Sequence, residues 1–221
     1  MIFLPDYAGR TFDYVPRNQI KSAKDQIEQI IRNLQAKLRS DGITFEVKLI
    51  GSGGKNLVTY IVGGNTGFDF DYNFVIQKGA DLDPKNLRLL FVQKLGEVIL
   101  KTNYKNVSNG NQSFTIKVVD KENSKIIHGC DFAIVNEYVD NQNNYRQEIL
   151  VQYANNLYSW NKKLICNNYT NKVSNLKANG LWNEVRDEYL KLKNNNRDEG
   201  KKSYNLYYEA VNNVYSKYRW V

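Results

Sequence analysis

Two aspartates two residues apart, Asp69 and Asp71, stand in a segment of strict alternation. Phe68, Phe70, Tyr72 and Phe74 take one side, and Asp69, Asp71 and Asn73 take the other. In an extended strand successive side chains point to opposite faces, so the two carboxylates project together, about 6–7 Å apart along the strand. Two anions so placed repel each other, and each favours its protonated form unless a cation stands nearby. Hard oxygen ligands of this kind suit Mg²⁺ or Mn²⁺, which keep waters and bind phosphates at the same time. Taken alone, Asp-x-Asp also describes a solvated strand face.

Two further features stand beside this pair. Residues 43–50 alternate as a strand and run directly into Gly51-Ser52-Gly53-Gly54-Lys55-Asn56. Glycines let a backbone approach a phosphate closely, and amides at a helix start favour an anion. Ser52 adds a hydroxyl and Lys55 a point charge, although the spacing is not that of a Walker A loop. A glycine turn between strand and helix is the plainer reading. Downstream, Asp131 sits inside the apolar run Ile126–Val135. A carboxylate there is costly to bury unless it is paired or ligates a metal, and the plainer reading puts it at a turn or a solvent-facing edge. Three carboxylates on neighbouring strands beside a Gly-Ser loop fit two-metal phosphoryl transfer, with one metal activating a hydroxyl and the other holding a triphosphate and its pyrophosphate.

These residues need elements to carry them. Apolar residues at helical spacing predict a helix over 18–40, closed by Asp41-Gly42. Leu57 to Val62 reads as a short helix, and residues 68–77 as the most regular strand. Asp83-Pro84 opens a helix to about Lys101, with proline in its first turn. Residues 112–119 and 125–135 read as strands, 136–147 as a polar loop, and the chain from 148 onward as mainly helical, including 181–193 and 203–218. The expected fold class is α+β: a mixed β-sheet flanked by helices, with a helical C-terminal layer. The expected division is a catalytic region 1–147 and a helical subdomain 148–221.

The chain has 221 residues and a net charge of +8, with 31 basic and 23 acidic side chains. Residues 151–221 hold 12 basic and 6 acidic groups, 9 of the 16 Tyr and all 3 Trp, whereas residues 1–150 are nearly balanced. Basic residues among Tyr and Trp suit phosphates and stacked bases, and they equally suit a solvated amphipathic helix layer. Lys162 and Lys163, close to Tyr158 and Trp160, and Lys201-Lys202 before Ser203 are the candidate phosphate or nucleic-acid contacts. The Tyr204, Tyr207, Tyr208, Tyr215 and Tyr218 series reads as core packing. Cys130, Cys166 and the single histidine, His128, exclude a disulfide scaffold and multi-histidine zinc chemistry. No apolar run reaches the roughly 18 residues of a membrane span, and the N-terminus lacks the pattern of a signal peptide, so a cytoplasmic protein without membrane association is expected.

Gly51-Ser52, Asp69-Phe70-Asp71 and Asp131 together resemble the signature of the DNA polymerase beta-like nucleotidyltransferases. Gly51-Ser52-Gly53-Gly54-Lys55 looks most like the branch of the oligoadenylate synthases and the bacterial cyclic-oligonucleotide synthases. The resemblance covers roughly residues 18–136. It implies a mixed-sheet palm and Mg²⁺- or Mn²⁺-dependent transfer of a nucleoside monophosphate from an NTP to a hydroxyl, with release of pyrophosphate. Gly51 and Ser52, with Lys55 and Asn56 beside them, would hold the triphosphate. Asp69 and Asp71 would ligate both metals, and Asp131 would ligate the catalytic metal and help activate the acceptor. RNA or a nucleotide is the favoured acceptor. The alternative is a non-catalytic nucleotide- or RNA-binding protein of the same fold.

Overall fold

A computed structural model describes residues 10–163, 168–198 and 200–220. These fall into two compact units, one holding residues 15–58 and 65–163, the other residues 10–14, 59–64, 168–198 and 200–220.

The first unit begins with α1 (Arg17–Ser40), whose Ala23, Ile27, Ile30, Ile31, Leu34 and Leu38 form the buried stripe that the helical spacing predicts. It is built on a seven-stranded sheet. The strands of its main path run β2 (Thr44–Ile50), β4 (Phe68–Lys78), β7 (Lys125–Val139), β6 (Phe114–Asp120) and β5 (Tyr104–Asn109). Two more strands, β8 (Tyr145–Gln152) and β9 (Tyr158–Lys163), continue from the far half of β7. The β4–β7 pair is parallel and all other pairs are antiparallel, which makes the sheet mixed. The helix α3 (Pro84–Ile99) starts as expected, with Asp83 Oδ1 accepting from the Asn86 amide at 2.9 Å and proline at its first position.

One face of the sheet is the core. Phe45 of β2, Phe74 of β4, Phe91 of α3, Phe114 of β6 and Phe132 of β7 are all buried and stack in a single cluster, with ring centroids 4.5 Å apart for Phe45–Phe74 and 4.9 Å for Phe74–Phe132. Aromatic pairs of this geometry add about 0.5–1.5 kcal/mol each beyond their area burial. Because the strand period is two, burying Phe70, Tyr72 and Phe74 forces Asp69, Asp71 and Asn73 onto the opposite face.

The second unit contains an antiparallel pair, β1 (Phe12–Tyr14) and β3 (Thr59–Ile61), and three helices, α4 (Asn168–Ala178), α5 (Trp182–Asn195) and α6 (Ser203–Tyr215). Val185, Tyr189, Leu206, Tyr207, Ala210, Val211 and Val214 are its buried side chains on α5 and α6. Asn194 ties β1 to α5 by accepting from the Phe12 amide at 2.7 Å and donating to the Phe12 carbonyl at 3.1 Å. No helix among the described residues is long and apolar enough to cross a membrane.

Several elements differ from expectation. The apolar run Leu57–Val62 ends in a strand, because Thr59–Ile61 pairs with β1, a partner more than forty residues away. The region 136–147 is not a loop: β7 runs on to Val139 and a short turn leads into β8. The chain after 148 is not mainly helical at first, since β8 and β9 occupy 145–163 and extend the sheet across the expected 147/148 division. Ile149-Leu150-Val151 and the alternating Tyr158-Ser159-Trp160-Asn161 carry strand character, not helical spacing. Of the tyrosine series, Tyr207 is buried, but Tyr204, Tyr208 and Tyr218 are exposed. Cys166 lies outside the described residues.

Candidate active site

The parallel pairing of β4 and β7 sets Asp71 opposite Asp131 and Asp69 opposite Gly129. All three carboxylates therefore rise from the face of the sheet that the phenylalanine cluster does not use. Asp69 is exposed, whereas Asp71 and Asp131 are half-buried.

Two glycines make this crowding possible. A β-carbon at Gly51 would overlap Asp71 Oδ2, and one at Gly129 would overlap Asp69 Oδ1. Gly51 also has φ +58°, a left-handed conformation that an L side chain rarely adopts. The single helical turn α2 (Gly51–Gly54) follows it and closes with the Leu57 amide donating to the Ser52 carbonyl at 2.9 Å. Lys55 Nζ donates to the Gly51 carbonyl at 3.0 Å, so its ammonium sits over the loop that abuts Asp71. Asn56 ends the turn with φ +58°.

Charge is concentrated here. Partial burial, and next the Asp131 carboxylate, push the Asp71 carboxyl above the ordinary aspartate range, while Lys55 opposes them. Burial and Asp131 raise Asp69 in the same direction, with Lys117 opposing and Asp71 adding to the rise. Although Asp69 is open to solvent at its edge, its neighbours crowd it on the sheet side. On β6, Thr115 pairs with Asp131 in the ladder and donates its hydroxyl to Asp131 Oδ1. Lys117 of the same strand stands opposite Gly129, and the place of the missing β-carbon there lies against both the Asp69 carboxylate and the Lys117 side chain. Among the described residues, no three His, Cys, Asp or Glu already stand close enough together to hold a metal ion. The three aspartates share a face without closing into a finished ligand set.

A cavity of about 540 Å³ opens beside them, lined by Asp71, Asn73, Asp131, Asn161, Lys162 and Lys163 among others. Lys162 and Lys163 of β9 are thereby brought to the carboxylates. The Gly51–Lys55 turn and Asp69 do not line this cavity, although the turn abuts Asp71. Lys201 and Lys202 belong to the helical unit, where Lys201 pairs with Glu209 and Lys202 precedes α6. His128 is buried on the other face, with Nε2 2.7 Å from the Tyr104 hydroxyl, and takes no part in the site.

Gly129, Thr115 and Lys117 are site neighbours that sequence reasoning missed. A glycine inside an apolar strand signals close approach of another group, so Gly129 was readable. Thr115 and Lys117 owe their place to the β6–β7 register, which no local pattern encodes.

No protein-family model matches the chain, and no curated protein matches its sequence. Solved structures share its fold. A STING-associated c-di-GMP synthase of Capnocytophaga granulosa superposes with a TM-score of 0.60 at 20% identity, over 90% of this chain and 61% of that one. The Vibrio cholerae cyclic AMP-GMP synthase, in complex with a linear intermediate, gives 0.57 at 14% identity, over 92% of this chain and 56% of that one. A cyclic dinucleotide synthase of Elizabethkingia meningoseptica, with GTP and Apcpp, gives 0.52 at 16% identity, over 89% and 70%. The chain thus shares the fold of these bacterial cyclic-dinucleotide synthases and spans 56–61% of the first two.

Proposed function

We propose that this chain is a divalent-metal-dependent nucleotidyltransferase that moves a nucleoside monophosphate from an NTP to a hydroxyl, with a nucleotide as the favoured acceptor. The observation that carries the reading is the meeting of three elements at one point. Gly51 gives up its side chain to Asp71, and Asp71 faces Asp131 across a parallel ladder. A solvated strand face would not need a left-handed glycine packed against it, nor a hydroxyl from the next strand on its third carboxylate.

The donor set fits a hard cation. Asp69 and Asp71 offer oxygen ligands whose carboxyls are raised first by burial and then by the Asp131 charge, and Asp131 is the third carboxylate on the same face. Mg²⁺ or Mn²⁺ held there would neutralise the triphosphate and lower the pKa of the acceptor hydroxyl. In the reaction the acceptor oxygen bonds to the α-phosphorus, the bond between that phosphorus and the α–β bridging oxygen breaks, and pyrophosphate leaves. Gly51 and Ser52, supported by Lys55 and Asn56, hold the triphosphate. Asp131, oriented by Thr115, receives the acceptor proton or passes it to water. Lys162 and Lys163 attract a phosphate-bearing ligand into the adjoining cavity. Lys201 and Lys202 remain candidates for contacts outside this group.

The fold's counterparts synthesise cyclic dinucleotides, which supports a nucleotide acceptor over RNA. The second reading is a nucleotide binder of the same fold without turnover. The test uses each α-labelled NTP with Mg²⁺ or Mn²⁺, with and without total RNA, and Asp69→Asn/Asp71→Asn as blank. Label in a small nucleotide product is expected. Label in RNA would reassign the acceptor, and metal-dependent binding without product would favour the binder.

A further inference from the structure

Asn73 has no part in the chemistry above, yet its placement needs a reason. It follows Asp71 by two residues on the same face of β4, between Lys48 of β2 and Ala133 of β7 in the ladder. It is only 3% exposed, and its Oδ1 is buried with no hydrogen-bond partner. Buried polar atoms in folded chains are nearly always paired, and leaving one unpaired is destabilising. A leucine would fill a similar volume without that cost. Among the described residues one other buried side-chain oxygen lacks a partner, the Tyr72 hydroxyl. Strand alternation turns Tyr72 to the phenylalanine side and Asn73 to the carboxylate side. Asn73 lines the same cavity as Asp71, Asp131, Asn161, Lys162 and Lys163.

We infer that Asn73 is the specificity-determining contact of this cavity, its amide oxygen accepting a hydrogen bond from an N–H of a nucleobase held there. This rests on the nucleotidyltransferase reading of the site. The occupant's base edge meets Asn73 inside the cavity. Each nucleobase carries its N–H groups at different edge positions, so a fixed acceptor favours the base that presents a donor to it. A site whose buried polar group goes unmatched rejects the wrong ligand.

The test measures equilibrium binding of the α,β-methylene analogues of ATP, GTP, CTP and UTP, and of inorganic tripolyphosphate, with Mg²⁺. Wild type is compared with Asn73→Leu and Asn73→Ser. Wild type is expected to rank the four bases, and both variants to compress the span between best and worst by roughly 3- to 10-fold, the worth of one hydrogen bond. Tripolyphosphate binding stays unchanged, and Asn73→Leu melts no lower than wild type because no native bond is lost. Equal wild-type affinity for all four bases, or an unchanged ranking in the variants, would overturn the role of Asn73 while leaving the nucleotide reading intact. Failure of wild type to bind any of the analogues would overturn the underlying reading as well.

Discussion

Gly51 and Asp71 share one space. The carboxylate of Asp71 occupies the position that a β-carbon on Gly51 would take, and Gly51 adopts φ +58° in doing so. The strand-to-turn junction and the carboxylate strand are therefore built against each other, and neither can change alone. Gly51→Ala is expected to cost roughly 1–2 kcal/mol from the left-handed backbone alone, before the clash is counted. It should also displace Asp71 and abolish NTP turnover. Urea denaturation alongside a pyrophosphate-release assay measures both. Wild-type turnover by Gly51→Ala would show that Asp71 does not need its present place.

Protonation of the aspartate pair gives a second expectation. Burial and Asp131 raise Asp69 and Asp71 above the ordinary 3.8. A carboxyl with a raised folded pKa binds its proton more tightly in the folded state. Its contribution favours the fold fully below pH 3.8 and is lost as pH rises through the raised values. At neutral pH the two charges thus work against the metal-free fold. Asp69→Asn/Asp71→Asn should melt higher than wild type in EDTA at pH 7, with the gap closing toward pH 4. Added Mg²⁺ should raise the wild-type Tm and leave the variant unmoved. Thermal melts over that range decide it.

Arg88 binds the turn that leads to one edge of the cavity. Its guanidinium is fully buried with no carboxylate partner among the described residues, and it donates to Asn109 Oδ1 and to the Gly110 carbonyl, both at 2.8 Å. Burial lowers its pKa to about 10, which leaves it charged at neutral pH. The turn it grips leads directly to Gln112 and Ser113, which line the cavity. Arg88→Met removes both hydrogen bonds from the buried guanidinium, and because Asn109 and Gly110 are exposed to water the cost is about 1–3 kcal/mol. Where the variant still folds, KM should rise more than kcat falls. Steady-state kinetics below the melting range tests this, and unchanged KM would separate the turn from ligand binding.

Lys162 and Lys163 are exposed on β9 and face the cavity that Asp71 and Asp131 line. Exposed charges in high dielectric contribute modestly, so Lys162→Ala/Lys163→Ala should weaken nucleotide binding by roughly 3- to 10-fold. The loss should shrink as salt rises toward 0.5 M. Titration at two ionic strengths checks it, and a salt-independent loss would mean that the lysines act by packing.

Much of the site was legible because strand alternation is local. Asp69, Asp71 and even Asn73 fall on one face by counting, and Asp131 announces itself as a lone acid in an apolar run. What counting cannot supply is register. Thr115 reaches Asp131, and Lys117 approaches Asp69, only because β6 pairs with β7 at that offset. The same limit explains β3 and β9. Thr59–Ile61 is three residues long and takes its form from β1, and Tyr158–Lys163 takes its form from β8. The tail of β7, Asn136–Val139, reads as a polar loop by composition, but pairing with β8 carries the strand through it.

The central claim is that the three carboxylates act together on an NTP. The most direct measurement is pyrophosphate release from each NTP with Mg²⁺, comparing wild type with Asp131→Asn. That substitution keeps the side chain's shape and an oxygen for Thr115 while removing one charge. We expect release by wild type with at least one NTP, a decrease of about 100-fold or more in Asp131→Asn, and nucleotide binding retained. Equal release by the two proteins would contradict the claim, and so would the absence of release by wild type with every NTP.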